Sequence, residues 1–68
     1  MESVEQLGQA VEERRRALAI TQEELAFSVG VNRRVISELE RGKPTLQLGI
    51  ALRTIATLGL EFDVRPRT

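Results

Sequence analysis

Thr21-Gln22-Glu23-Glu24-Leu25-Ala26-Phe27-Ser28-Val29-Gly30-Val31-Asn32-Arg33-Arg34-Val35-Ile36-Ser37-Glu38-Leu39-Glu40-Arg41-Gly42 holds two helix start signals and two stop signals in close succession. Thr21 with Glu24 three residues on makes a capping box, and Glu23 adds negative charge to the first turn, where the helix dipole favours it. Leu25, Ala26 and Val29 supply an apolar face. Gly30 ends the helix as a residue able to adopt the left-handed conformation at a C-terminal cap. Only Val31 and Asn32 intervene before the next pattern begins. Asn32 is a good N-cap, Val31 is the apolar residue before it, and Ile36, Leu39 and the stem of Glu40 lie inward. Gly42 stops this helix, predicted from Asn32 to Arg41, and Pro44 prevents its continuation.

Upstream, Ser3 with Gln6 fits a capping box for a first helix from about Val4 to Leu18. Val4, Leu7, Val11 and Leu18 form its apolar stripe, and Arg14, Arg15 and Arg16 sit at its electronegative end. Downstream, Thr45 is the expected cap of a fourth helix from about Leu46 to Leu58, with Leu48, Ala51, Leu52, Ile55 and Leu58 as its buried stripe and Gly59 as its stop. The pattern then changes period. Leu60, Phe62 and Val64 alternate with Glu61, Asp63 and Arg65, as in a half-buried strand. A lone strand leaves unpaired backbone groups, so this segment is expected to pair with its own copy around a two-fold axis. The predicted fold is mainly α, with four helices in residues 1–59 and a C-terminal dimerisation strand and tail in residues 60–68.

Composition narrows the function classes. The chain has 68 residues and a formal net charge of zero. A domain this small buries only about 60% of its unfolded surface, which makes dimerisation a natural source of further burial. Cys, His, Tyr and Trp are all absent. Disulfides and thiolate metal sites are thereby excluded, and most general bases and nucleophiles are removed. No enzyme activity, cofactor or metal is expected. No apolar run approaches a membrane span and no secretion signal opens the chain, so the cytoplasm is the expected location. Zero net charge argues mildly against a nucleic-acid partner, but charge is unevenly distributed. Glu2, Glu5, Glu12, Glu13, Glu23 and Glu24 occupy the first part, whereas Arg33, Arg34, Arg41, Lys43 and Arg53 follow.

Two short helices joined by a tight Gly-containing turn are the helix-turn-helix pattern. Thr21-Gln22-Glu23-Glu24-Leu25-Ala26, Gly30-Val31, Ile36-Ser37 and Glu40-Arg41-Gly42-Lys43-Pro44 resemble the Cro/C1-type (XRE) helix-turn-helix family of four-helix, lambda-repressor-like domains, over about Leu7 to Leu58. The continuation Leu58-Gly59-Leu60-Glu61-Phe62-Asp63-Val64 is similar to HipB-like antitoxins, in which a strand after the fourth helix pairs across a dimer. The resemblance implies that Gln22 binds a DNA phosphate and braces the third helix. It places Arg33, Arg34, Ser37 and Glu38 at base edges, and Asn32, Arg41 and Lys43 near phosphates. The helical wheel independently turns Arg34, Ser37, Glu38 and Arg41 outward, with Arg33 at the exposed first turn. Arginine donates two parallel hydrogen bonds to guanine, so Arg33 or Arg34 is expected to favour G. Glu38 could accept from cytosine or hold Arg34 one turn away. The resemblance also implies a salt bridge between Arg15 and Glu40, whereas periodicity alone leaves Arg14 and Arg15 equivalent. Where the family commonly has Gly after the first helix, this chain has Ala19.

These features predict a homodimeric, sequence-specific repressor of double-stranded operator DNA with inverted half-sites. The HipB-like likeness implies an antitoxin with a HipA-like kinase toxin as partner. The alternatives are a standalone phage-type regulator, a restriction-modification controller, or an interaction module that does not bind DNA.

Overall fold

The computed structural model describes residues 3–67; Met1, the expected acidic residue Glu2, and Thr68 at the end of the expected tail lie outside them. Four helices follow in chain order: α1 over Val4–Ala17, α2 over Gln22–Val29, α3 over Arg33–Glu40 and α4 over Leu48–Thr57. Three start with side-chain caps. Ser3 Oγ accepts from the Gln6 N–H at 3.1 Å, and Asn32 Oδ1 accepts from the Val35 N–H at 3.2 Å. Thr21 and Glu24 form a reciprocal box, with bonds of 3.0 and 2.8 Å. Each satisfies amide donors that have no partner inside the helix.

All four helices close in one way. Just past each helix end an amide reaches back five residues: Ile20 N–H to Arg15 O, Val31 to Ala26, Lys43 to Glu38 and Leu60 to Ile55. This closure requires the residue before that amide to be left-handed. Gly30, Gly42 and Gly59 take that role with φ of 90°, 78° and 72°, and Ala19 takes it with φ of 58°. Three glycines adopt the conformation freely, whereas the alanine is strained by its Cβ.

The core joins Val11 of α1, Leu25, Ala26 and Val29 of α2, Ile36 and Leu39 of α3, and Ala51 and Leu58 of α4 and its cap. Alpha-1 crosses the end of α3 at very short range. A Cβ on Gly8 would lie 2.4 Å from Leu39 O and 2.6 Å from Glu40 O. Only a glycine admits that approach.

At the C-terminal end one expectation is corrected and a second is not seen in the single chain. The fourth helix starts at Leu48, not Leu46, and Gln47 rather than Thr45 precedes it, without a side-chain cap. Pro44 sits at the second position of a turn closed by the Leu46 N–H on Lys43 O at 3.3 Å, so Thr45 belongs to the turn. The buried face of α4 is accordingly Ala51, Thr54 and Ile55. Thr54 satisfies its hydroxyl by donating to Ile50 O at 2.8 Å. Leu48 and Leu52, expected inside, are 65% and 41% exposed, and Leu18 is exposed as the cap residue of α1.

The second is the strand expected over residues 60–65. Among the described residues there is no strand. One copy of the chain offers no second segment for a ladder. Leu60 is instead part of the α4 closure: its amide is spent on Ile55 O at 3.0 Å, and its side chain packs against the core. Phe62 and Val64 project from the chain that follows, 45% and 80% exposed.

Candidate nucleic-acid interface

Alpha-3 presents two faces of different chemistry. Ile36 and Leu39 are fully buried, and Glu40 nearly so. On the other side Arg33, Arg34 and Arg41 are exposed, with Ser37 and Glu38 half-buried. Among the described residues Arg33, Arg34 and Arg41 have no side-chain ion pair. The helix thus combines an anchored row with a free cationic row.

What anchors it is a polar node. Arg15 donates from Nε to Glu40 Oε2 at 2.6 Å and from Nη2 to Glu40 Oε1 at 3.1 Å. Its remaining nitrogen, Nη1, donates to Ile20 O at 2.8 Å, in the link between α1 and α2. Gln22, the first residue of α2, donates from Nε2 to Glu40 Oε1 at 2.9 Å. One carboxylate at the end of α3 therefore ties together α1, α2 and α3. The Glu40 side chain is only 4% exposed. A charge so buried is tolerated because three donors surround it. Those same hydrogen bonds hold the Arg15 guanidinium above its ordinary pKa, with burial opposing the shift. Every buried side-chain polar atom among the described residues is hydrogen-bonded.

The neighbouring arginine has a separate use. Arg14 Nε donates to Leu58 O at 3.0 Å, satisfying a carbonyl that the end of α4 leaves open. Nothing in the local pattern distinguishes Arg14 from Arg15. The difference appears only when the ends of α3 and α4 arrive beside them. The Arg14 contact carries no local sequence signal. Arg16 pairs with Glu12 one turn away at 2.9 Å, in solvent.

Several residues expected at phosphates already have internal partners. Asn32 Oδ1 caps α3, and Gln22 Nε2 is bonded to Glu40. Lys43 Nζ lies 3.1 Å from Glu38 Oε2. Of the two roles open to Glu38, holding Arg34 is not the one seen: its partner is Lys43, beyond the end of the helix. The tail carries one further exposed pair, Arg65 Nε with Asp63 Oδ2 at 2.5 Å. Among the described residues no cluster of His, Cys, Asp or Glu could hold a metal ion, and no helix is long and apolar enough to cross a membrane.

Comparison with known proteins agrees with this geometry. The helix-turn-helix family model HTH_3 matches residues 11–64. An uncharacterised HTH-type transcriptional regulator of Sinorhizobium fredii is 47% identical over 45 residues, 66% of this chain and 59% of that protein. The chain thus spans less than two thirds of that relative. A second uncharacterised HTH-type transcriptional regulator, from Methanothermobacter thermautotrophicus, is 45% identical over 51 residues, 75% of this chain and 74% of that protein. Among solved structures, the restriction-modification controller protein C.AhdI of Aeromonas hydrophila superposes with a TM-score of 0.74 at 33% identity, over 85% of this chain and 84% of its own.

Proposed function

The chain belongs to the helix-turn-helix family, and on that premise we propose that it is a transcriptional regulator that binds operator DNA as a homodimer, with α3 of each protomer in the major groove. One observation carries this reading. The inner row of α3 is fixed by the node at Glu40, while Arg33, Arg34 and Arg41 stand unpaired on its outer row. A rigid helix with free guanidinium groups suits bidentate donation to guanine O6 and N7.

The dimer is supported by what the single chain leaves uncovered. Leu48 and Leu52 form an apolar ridge one helical turn apart on α4, and Phe62 and Val64 are exposed beyond it. Packing those side chains against a second copy would supply the burial that so small a domain lacks. Pairing of residues 61–65 across the two-fold axis is part of the proposal, beginning after Leu60 because that amide is already bonded. A two-fold dimer reads an inverted repeat with half-sites about one helical turn, roughly 34 Å, or a multiple of it apart.

For the biological client, the likeness to C.AhdI supports a restriction-modification controller. The HipB-like antitoxin reading, with its HipA-like kinase partner, rests on residues 58–64 alone. An adjacent methyltransferase and endonuclease gene pair favours the first, and an adjacent kinase-like gene the second.

The test is selection from random duplexes followed by anisotropy at fixed salt. An enriched inverted repeat, bound with steep salt dependence, is expected. Arg34→Ala should relax preference at one position by about 1–3 kcal/mol. Absence of both enrichment and salt-dependent binding would reject DNA recognition in favour of an interaction module.

A further inference from the structure

The closure at the end of α3 differs in one respect from its counterpart at the end of α2. In both, the five-residue backbone bond folds the residue after the glycine back over the last turn. At α2 the residues brought together are Val31 and Ala26, an apolar pair that packs on the core. At α3 they are Lys43 and Glu38, and the contact is an ion pair with Nζ 3.1 Å from Oε2. The backbone therefore builds this pair. The Lys43 N–H bonds to Glu38 O at 3.1 Å, so the side chains start from positions already joined.

We propose that Glu38 attenuates the electrostatic part of DNA binding by occupying Lys43, an inference that rests on the reading of α3 as the DNA-facing helix. Phosphate affinity follows the number of cations that displace counterions from the duplex. Arg33, Arg34 and Arg41 are free to do so. Lys43 is not: displacing a counterion requires it to leave Glu38, and that leaves a bare carboxylate beside the phosphates. The effective cationic count of the face is therefore one lower per protomer than the residue types suggest. The part reduced is the sequence-independent term, because non-specific binding is almost entirely electrostatic. Base-edge contacts by Arg33 and Arg34 are untouched. Glu38 is thus a residue that sets the balance between specific and non-specific binding.

The measurement is anisotropy of a labelled mixed-sequence duplex titrated with the full chain across a KCl series, for wild type, Glu38→Gln and Glu38→Gln with Lys43→Gln. Glu38→Gln should steepen the slope of log affinity against log salt by about 0.9 per protomer, an extra loss of about 3.5-fold between roughly 50 and 200 mM. The double variant should return to the wild-type slope, because Lys43 is the group released. An unchanged slope in Glu38→Gln overturns the proposal, as does a double variant that stays steep. Circular dichroism confirms that each variant keeps the wild-type helix content. A wild type that binds no duplex at all rejects the DNA reading itself, and the attenuation with it. Binding with a flat response to Glu38→Gln rejects the attenuation alone.

Discussion

Ala19→Gly should make this protein more stable, although it only removes an exposed methyl group. Four helices close with the same backbone bond, and the left-handed position is glycine in three of them. At the fourth, Ala19 holds φ at 58° and is exposed, so removing its Cβ costs little packing. A left-handed L-residue costs roughly 1–2 kcal/mol, which the substitution relieves. Against that, glycine gives the unfolded chain more freedom, a cost of about 0.4–1 kcal/mol. The midpoints of these ranges differ by about 0.8 kcal/mol in favour of glycine. With an unfolding entropy near 2.1 cal/mol/K per residue over 68 residues, that gain raises Tm by about 6 °C. Thermal unfolding followed by circular dichroism reads it directly, at one protein concentration because oligomerisation makes Tm concentration-dependent. Ala19→Val provides the opposite arm and should lower Tm, since a β-branched side chain suits a positive φ least. An Ala19→Gly variant that melts at or below the wild-type temperature would refute the reasoning.

The remaining predictions concern how α3 is held and one exposed residue of α2. Gly8→Ala should destabilise by about 1–3 kcal/mol, read in the same melts, because the new Cβ would meet two backbone carbonyls of α3 that cannot rotate away. Glu40→Leu should cost about 3–5 kcal/mol by leaving the Arg15 guanidinium buried without its counter-ion. Adding Arg15→Met to Glu40→Leu should recover much of that loss, and a double variant as unstable as the sum of the singles would show that the pair is not coupled. Phe27→Ser should leave stability within about 0.5 kcal/mol, because Phe27 is 88% exposed on α2.

Where the chain was legible in sequence, the determining interaction was local. Ser3, Thr21 and Asn32 announce helix starts because a cap needs only the next three amides. Thr45 has the same chemistry and fails, because Pro44 just before it commits the backbone to a turn. The alternation of residues 60–65 is a real period-two pattern, but a strand needs a partner, and the amide of Leu60 was claimed first by the α4 closure. Arg14 and Arg15 illustrate the other limit. They are neighbours on one helix with identical chemistry, and tertiary placement alone sends one to Leu58 O and the other to Glu40. The partner of Glu38 is beyond the reach of the local pattern for a related reason. The helical period suggests Arg34 one turn back, whereas the chain reversal after Gly42 delivers Lys43 from ahead.

A division of labour within the candidate interface follows from these partners. Two groups proposed for phosphates are fixed in place, Gln22 by Glu40 and Asn32 by the Val35 amide, whereas Lys43 is occupied by Glu38 and Arg41 has no ion pair among the described residues. Of the groups proposed for base edges, Arg33 and Arg34 have no ion pair among the described residues, whereas Glu38 is paired with Lys43. For Gln22 and Asn32 on one side, and Arg33 and Arg34 on the other, that arrangement matches what the two kinds of contact must do. A phosphate contact fixes register, so the group making it has to stand at a known place before DNA arrives. A base contact has to find a donor and acceptor pattern, and a guanidinium already paired with a carboxylate would have to break that pair first. The residues that secure α3, namely Ile36, Leu39, Glu40 and the left-handed Gly42, are also distinct from those that face outward. Reading residues can therefore change without loosening the helix that carries them, which is how one small scaffold can serve operators of different sequence.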